Sequence, residues 1–153
     1  MSKLDGPSLE LWTAFLQAHA VVLGKLERDL VQDRALPLGW YEVLFWLSRA
    51  PGGRLRMLEL ARSVFLSKSG LTRLVDRLEA AGLVRRESCP SDRRGTWTAM
   101  TEAGRHTFRR AAPVHVRGIR EHFLDRLEGV DVEPLREALA RLVEDRVAPV
   151  RRR

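Results

Sequence analysis

Ser67-Lys68-Ser69-Gly70-Leu71-Thr72-Arg73-Leu74-Val75-Asp76-Arg77-Leu78-Glu79-Ala80-Ala81 is the stretch on which the reading of this chain turns. Leu71, Leu74, Val75 and Leu78 recur at three- and four-residue steps, which puts them in one stripe of an α-helix. Lys68, Ser69, Thr72, Arg73, Asp76 and Arg77 then share the opposite, polar face. The Ser67 hydroxyl is placed to accept from free N–H groups of the first turn. Gly82 stands where helices commonly end in a left-handed residue. The spacing therefore predicts a helix of roughly 22 Å with a small basic outer face.

The flanks extend this pattern. Upstream, Leu58, Leu60, Ala61 and Val64 form a shorter amphipathic pattern that stops just before Ser67. Two short helices across a tight turn, the second basic, make a helix-turn-helix. Downstream, Leu83-Val84-Arg85-Arg86-Glu87-Ser88 and Thr96-Trp97-Thr98-Ala99-Met100 are β-prone runs. Between them lies Cys89-Pro90-Ser91-Asp92-Arg93-Arg94-Gly95, rich in turn formers and cations, which predicts a hairpin with a basic tip. Either feature alone is an ordinary solvated surface. Together, a basic helix followed at once by a basic β-tip suits a major groove beside a minor groove or phosphate ridge.

These residues resemble the MarR family of bacterial transcriptional regulators. The resemblance rests on Leu58-Glu59-Leu60-Ala61, the Ser67–Glu79 run, Ala81-Gly82-Leu83-Val84, Ser91-Asp92-Arg93-Arg94-Gly95 and Thr101-Glu102-Ala103-Gly104. It is dense over residues 51–105 and continues as a pattern of long helices on both sides. Its most specific element is the Asp-x-Arg tip, Asp92 and Arg94. Phe65 departs from the glycine common in helix-turn-helix units and implies a wider turn.

Composition agrees with a polyanionic partner. The 153 residues are 44% hydrophobic and 31% charged, with a formal net charge of +7. That describes one globular domain large enough for a real core. Residues 1–34, 35–100 and 101–153 carry net charges of −1, +5 and +3, so the excess falls on the reading unit. The single cysteine, Cys89, excludes an internal disulfide and fits a reducing compartment. No run approaches the ~18 apolar residues that span a bilayer, and no signal-peptide apolar segment opens the chain. The expected location is the cytoplasm, with no membrane partner.

Taken in order, Pro7-Ser8 opens a helix with Ser8 as the expected cap. Trp12, Phe15, Leu16, His19, Val22, Leu23, Leu26 and Leu30 give it an apolar stripe longer than one small core needs, so part should meet a partner chain. Trp40 to Leu47 reads as a buried central helix. Pro51-Gly52-Gly53 is a turn, and Arg54-Leu55-Arg56 is short enough to add a third strand. Thr101 can cap the next helix, which runs through Phe108, Ala111, Ala112, Val116, Ile119, Phe123 and Leu127. Pro113 should kink it or start a new segment, and Gly129-Val130-Asp131 ends it. A last helix from Asp131 carries Leu135, Leu139, Leu142, Val143 and Val147, with Pro134 in its first turn. Arg151-Arg152-Arg153 is a solvated tail.

The expected fold is mainly α: a winged helix-turn-helix of about six helices with a small antiparallel wing, dimerising through its N- and C-terminal helices. The whole chain, 1–153, is one domain, with a DNA-binding lobe over 35–100 and dimerisation helices over 8–33 and 102–149. The resemblance implies a homodimer whose twofold axis sets two recognition helices one DNA turn apart on a palindromic operator. Ser67, Lys68, Ser69, Thr72, Arg73 and Arg77 are expected at the major groove, Arg73 being best suited to a guanine edge. Arg94 is expected in the minor groove, held by Asp92, with Arg93 on phosphate.

No enzyme signature appears. His19, His106, His115 and His122 lie in no HExxH or CxxC setting, and no glycine-rich phosphate loop occurs. His115 and His122, seven apart, can share a helix face, but ordinary polar positions are the simpler reading. Cys89 lacks a helix N-terminus that would lower its pKa, and peroxide-sensing members of the resembled family carry their cysteine in the first helix, where this chain has none. No cofactor or metal is expected. Trp12, Phe15, His19, Trp40, Tyr41 and Trp46 are core, or alternatively line a pocket for a small aromatic effector that releases a repressor from its operator, as the resemblance implies. The competing functional classes are a helical protein–protein adaptor with a basic face, a small-molecule binder without DNA function and, less favoured, a small enzyme using the aromatic pocket. Steep salt dependence on duplex DNA separates the regulator from these.

Overall fold

The first helix, α1, spans Gly6–Arg34 and is about 43 Å long at 1.5 Å per residue. Its cap is Asp5, not Ser8: the carboxylate accepts from Ser8 N–H at 2.8 Å, and Pro7 occupies a first-turn position that needs no donor. The computed structural model describes residues 5–64, 66–89 and 92–143, and the side chains of all of these except 89 and 92–95. Among the described residues it forms six α-helices and one three-stranded antiparallel sheet, so the chain is mainly helical with a winged helix-turn-helix at its centre.

The order is α1, α2 (Leu38–Arg49), a 3-10 turn (Pro51–Gly53), β1 (Arg54–Arg56), α3 (Met57–Ser63), α4 (Lys68–Ala80), β2 (Val84–Cys89), β3 (Asp92–Met100), α5 (Glu102–His122), a second 3-10 turn (Leu124–Leu127) and α6 (Val132–Arg141). β3 lies between β1 and β2, with Arg54↔Ala99↔Arg85 and Arg56↔Trp97↔Glu87 in register. The short run Arg54-Leu55-Arg56 is thus the third strand the sequence suggests. Side chains alternate across the sheet. Leu55 and Thr98 face the core, while Arg54, Arg85 and Glu87 face outward.

Burial divides into two clusters. Val43, Leu44, Leu47, Leu60, Val64, Leu71, Leu74, Val75, Leu78, Val84 and Met100 form the core of the winged lobe. Leu26, Leu30, Leu36, Leu38, Tyr41, Ala111 and Val114 join α1, α2 and α5. Trp40, Leu83 and Phe108 touch both. α2 has no side-chain cap of its own; Glu27 of α1 accepts from Leu38 N–H at 2.5 Å and supplies one. Arg117 pairs with Asp33 and His122 with Asp29, each at 2.8 Å, tying α5 to α1.

Several expectations are corrected. Leu58 is 58% exposed, because α3 begins only at Met57 and turns that side chain outward while burying Leu60, Ala61 and Val64. α5 passes through Pro113 as one helix rather than starting a new segment there, and Val116 is exposed. It stops at His122, short of Leu127, which belongs to a separate 3-10 turn. The hairpin strands reach Cys89 and begin again at Asp92, so the connection is tighter than the seven-residue loop expected. Phe65, Pro90, Ser91, Val147 and the Arg151–Arg153 tail lie outside the described residues. No described helix is long and apolar enough to cross a membrane.

α5 begins in a tight seat. Thr101 caps it by accepting from Gly104 N–H at 3.0 Å, and donates to the Gly82 carbonyl at 2.7 Å. A Cβ on Gly104 would fall well inside van der Waals contact of the Leu83 carbonyl oxygen and against Met100 Cγ. In an open helix Gly→Ala stabilises by up to about 1 kcal/mol. Here the sign reverses: Gly104→Ala is expected to lower stability by about 1–3 kcal/mol, as overpacking does. Urea unfolding at fixed protein concentration checks this, and a stabilised Gly104→Ala would refute the close seat.

Candidate nucleic-acid interface

α4 follows its sequence closely. Ser67 Oγ accepts from Gly70 N–H at 3.1 Å and lies 3.2 Å from Ser69 Oγ, so the first turn is capped and its hydroxyls gathered. Leu71, Val75 and Leu78 are fully buried and Leu74 nearly so. Gly82 closes the helix with φ +72°, a conformation that suits glycine.

Burying that stripe forces the opposite face into solvent. Ser67, Lys68, Ser69, Thr72, Arg73, Asp76 and Arg77 are all exposed. Ser67, Lys68, Ser69, Thr72 and Arg73 line one shallow concavity. Thr72 donates to the Lys68 carbonyl at 2.9 Å and Arg77 Nε to the Arg73 carbonyl at 3.4 Å. Asp76 is instead engaged by Arg86. The Lys68 and Arg73 charges therefore stand outward without a carboxylate among the described residues. A convex helix with paired hydroxyls and uncompensated cations can donate to phosphate oxygens and to base edges.

Arg86 is a residue that pattern reading did not single out. It lies on the inward face of β2 and reaches under α4. One terminal nitrogen meets Asp76 Oδ1 at 2.6 Å, the other Glu79 Oε2 at 2.5 Å, and its backbone N–H meets Glu79 Oε1 at 2.7 Å. Burial opposes its charge, but the bonds to Asp76 and Glu79 outweigh that and hold the guanidinium firmly protonated. The fork fastens α4 to the wing strand. The available signal was alternation: Val84 inward makes Arg86 inward too.

The wing-tip residues Asp92, Arg93 and Arg94 have their backbone at the start of β3, and their side chains lie outside the described residues. The aromatic set divides. Trp12, Phe15 and His19 follow one another along the exposed part of α1, the first pair stacked at 5.9 Å and the second tilted at 6.2 Å between ring centroids. Tyr41 packs on α5, 4.2 Å from His115 and 5.3 Å from Phe108. Trp40 and Trp46 pack on the lobe core. Among the described residues no ring contact joins the α1 trio to Trp40, Tyr41 or Trp46. His115, expected as an ordinary polar position or else a metal partner of His122, is half-buried: its Nδ1 has no hydrogen-bond partner among the described residues, and burial holds its pKa below the usual range. Burial likewise raises the Tyr41 phenol. His122 is bonded to Asp29, so the two histidines do not form a pair, and no described group of three or more His, Cys, Asp or Glu is arranged to hold a metal.

Comparisons with known proteins agree with this geometry. The MarR family model matches residues 36–95. The chain is 29% identical over 107 residues to the HTH-type transcriptional regulator YfiV of Bacillus subtilis, covering 69% of this chain and just under two thirds (64%) of that one. Among solved structures it is similar to AbsC, a MarR family transcriptional regulator from Streptomyces coelicolor, at 39% identity and TM-score 0.87, over 95% of this chain and 97% of that one. Sco3205 from the same organism, solved in complex with DNA, shares 36% identity and TM-score 0.87, over 97% and 92%. CouR from Rhodococcus jostii RHA1, solved with p-coumaroyl-CoA, shares 27% identity and TM-score 0.76, over 91% and 95%.

The Arg86 tie yields a test without DNA contact. Arg86→Met should lower stability by about 1–2 kcal/mol, a range reduced for partial solvent exposure. It should also weaken duplex binding, because α4 loses its fastening. Urea unfolding and fluorescence anisotropy read the two effects; unchanged values in both would make the tie inert.

Proposed function

Because this chain belongs to the MarR family of transcriptional regulators, we propose that it binds a palindromic operator as a homodimer and represses transcription by occupying it. The observation that carries this reading is α4: a buried apolar stripe whose far side presents Lys68 and Arg73 without a carboxylate partner among the described residues. The lobe over 35–100 does the reading, and the helices over 8–33 and 102–149 join two copies within one domain per chain. The dimer has a surface to use. Leu9, Leu11, Trp12, Phe15 and Leu16 on α1 and Leu139, Leu142 and Val143 near the C-terminus are all exposed apolar side chains, too many for a monomer in water. Binding DNA places the protein in the cytoplasm.

In this reading α4 enters the major groove. Ser67, Ser69 and Thr72 bond phosphates or base edges with Lys68 and Arg77, and Arg73 bonds a guanine. Asp92 aims Arg94 into the minor groove while Arg93 meets phosphate. Arg73→Ala should cost about 1–3 kcal/mol and relax preference at one operator position. Arg94→Ala should weaken binding and remove its preference for narrow A·T minor grooves. Both are read by anisotropy on an operator selected from random duplexes, across a salt series. Equal operator affinity of parent and Arg73→Ala would remove α4 from the groove, and binding indifferent to salt would contradict the DNA reading altogether.

We further propose control by a small aromatic effector at the junction of α1, α2 and α5. Supporting this are the buried Nδ1 of His115 against Tyr41, without a partner among the described residues, and the ligand held by CouR. Trp12, Phe15 and His19 of α1 reach such a ligand when the terminal helices pair, and Trp40, Tyr41 and Trp46 surround its lobe side. The effector acts by its difference in affinity between two leans of the lobe, a coupling of about 1–3 kcal/mol or roughly 5- to 150-fold in operator affinity. A screen of aromatic acids by tryptophan fluorescence finds it. Trp40→Ala, still folded and DNA-binding, should lose the response; an unaltered response would exclude this pocket.

A further inference from the structure

The outward face of the sheet carries a second basic feature, separate from α4. Arg54 of β1, Ala99 of β3 and Arg85 of β2 stand in one cross-strand row. Neighbouring strands lie about 4.8 Å apart, so two arginines flank a trough about 10 Å wide whose floor is a methyl group. Gly52 of the 3-10 turn forms one end. Arg105 of α5 leans over the neighbouring Gly53, where a Cβ would stand 2.8 Å from a guanidinium nitrogen. The resulting half-open cavity has a volume of about 320 Å³. That is the lower end of the range for small-ligand pockets.

Glu87 shows what chemistry this trough accepts. Its carboxylate meets Arg85 at 2.7 Å and Arg54 at 3.4 Å, spanning the two walls as an internal oxyanion. The hydrogen bond from Arg85, then the charges of Arg85 and Arg54, hold Glu87 ionised below the usual carboxylate range. Three guanidiniums against one carboxylate leave the lining with two positive charges in excess. Glu102, which pairs with Arg105 at 3.3 Å, is 78% exposed and outside the lining. Arg54 also stands over the Trp97 ring of the neighbouring row at 5.2 Å, a cation–π contact.

We propose that this trough is a binding site for a phosphate-type oxyanion, carried by a small phosphomonoester, bridged by Arg54, Arg85 and Arg105. A phosphomonoester carries about −1.5 to −2 charges at neutral pH, matching the excess, and three acceptor oxygens, one for each guanidinium. A phosphodiester of the DNA backbone offers the same oxygens with one charge. The trough opens on the sheet face opposite the one that Arg86 fastens to α4, so a duplex held by α4 lies away from it.

The experiment titrates inorganic phosphate, then phenyl phosphate, into the full-length protein without DNA. Ionic strength is held constant with chloride, and heat is read by calorimetry. One saturable site per chain is expected. Arg85→Ala and Arg105→Ala should each weaken it by about tenfold, the weight of one charge-assisted bond. Glu87→Gln removes the internal competitor and should tighten binding, whereas Glu121→Gln, with the same change in net charge, should not. Arg73→Ala on α4 should leave phosphate binding intact. Absence of saturable binding, or equal binding by the arginine variants and parent, overturns the site. A matching loss of operator affinity in the Arg85→Ala, Arg105→Ala double variant would assign the trough to DNA phosphate and overturn the small-ligand source.

Discussion

Burial of four side chains on α4 governs the rest of this molecule. Leu71, Leu74, Val75 and Leu78 all lie in the lobe core, and truncating any one of the leucines would cost about 2–5 kcal/mol. A helix pinned along that stripe has no freedom to roll, so its polar residues must point outward. The outer face is therefore a consequence of packing, and its Lys68 and Arg73 meet no carboxylate among the described residues. The one acid on that face that would oppose a polyanion, Asp76, is drawn aside by Arg86. Stability and function draw on the same interaction from its two sides.

The second dependence is on the joint between lobe and scaffold. Trp40, Leu83 and Phe108 each touch both clusters, so the lobe cannot tilt without repacking aromatic and aliphatic surface on α5. Gly104 allows α5 to start directly against the Leu83 carbonyl, and Glu27 of α1 caps α2. A tilt would have to break such discrete contacts, which is how packed junctions come to hold a small number of alternative arrangements. The phenol of Tyr41 against His115 sits inside this joint, where a small change in what fills the space is felt by every helix around it.

What was legible in the sequence is what depends on local periodicity and capping. The α4 stripe, the Ser67 and Thr101 caps, the left-handed Gly82 and the Arg54-Leu55-Arg56 strand all follow from residue spacing and turn chemistry, and the structure has them. The α1 cap was misplaced because Asp5 and Ser8 are both good capping residues, and only the 2.8 Å bond distinguishes them. Pro113 suggested a kink or a new segment; α5 continues through it as one helix, tied to α1 on both sides of the proline by Arg34 to the Arg110 carbonyl, Asp33 to Arg117 and Asp29 to His122. Leu58 looked like core because α3 is too short for periodicity to fix its phase. Arg86 and Glu87 adjoin in sequence and face opposite ways, one under α4 and one into the outer trough. That separation exists only once the strand is paired. The aromatic residues were grouped by type, whereas the fold sorts them by position, onto exposed α1, onto α5 and onto the lobe.

In the proposed dimer, two copies of α4 on paired scaffolds read two half-sites on one face of DNA. The most direct test of this arrangement is geometric. Starting from an operator selected by the protein, about five base pairs, half a helical turn, are inserted between the half-sites, and affinity is measured by anisotropy at fixed salt. This duplex is expected to bind little better than random DNA, because the second recognition helix faces the wrong side. Undiminished affinity for the half-turn insertion would contradict the arrangement.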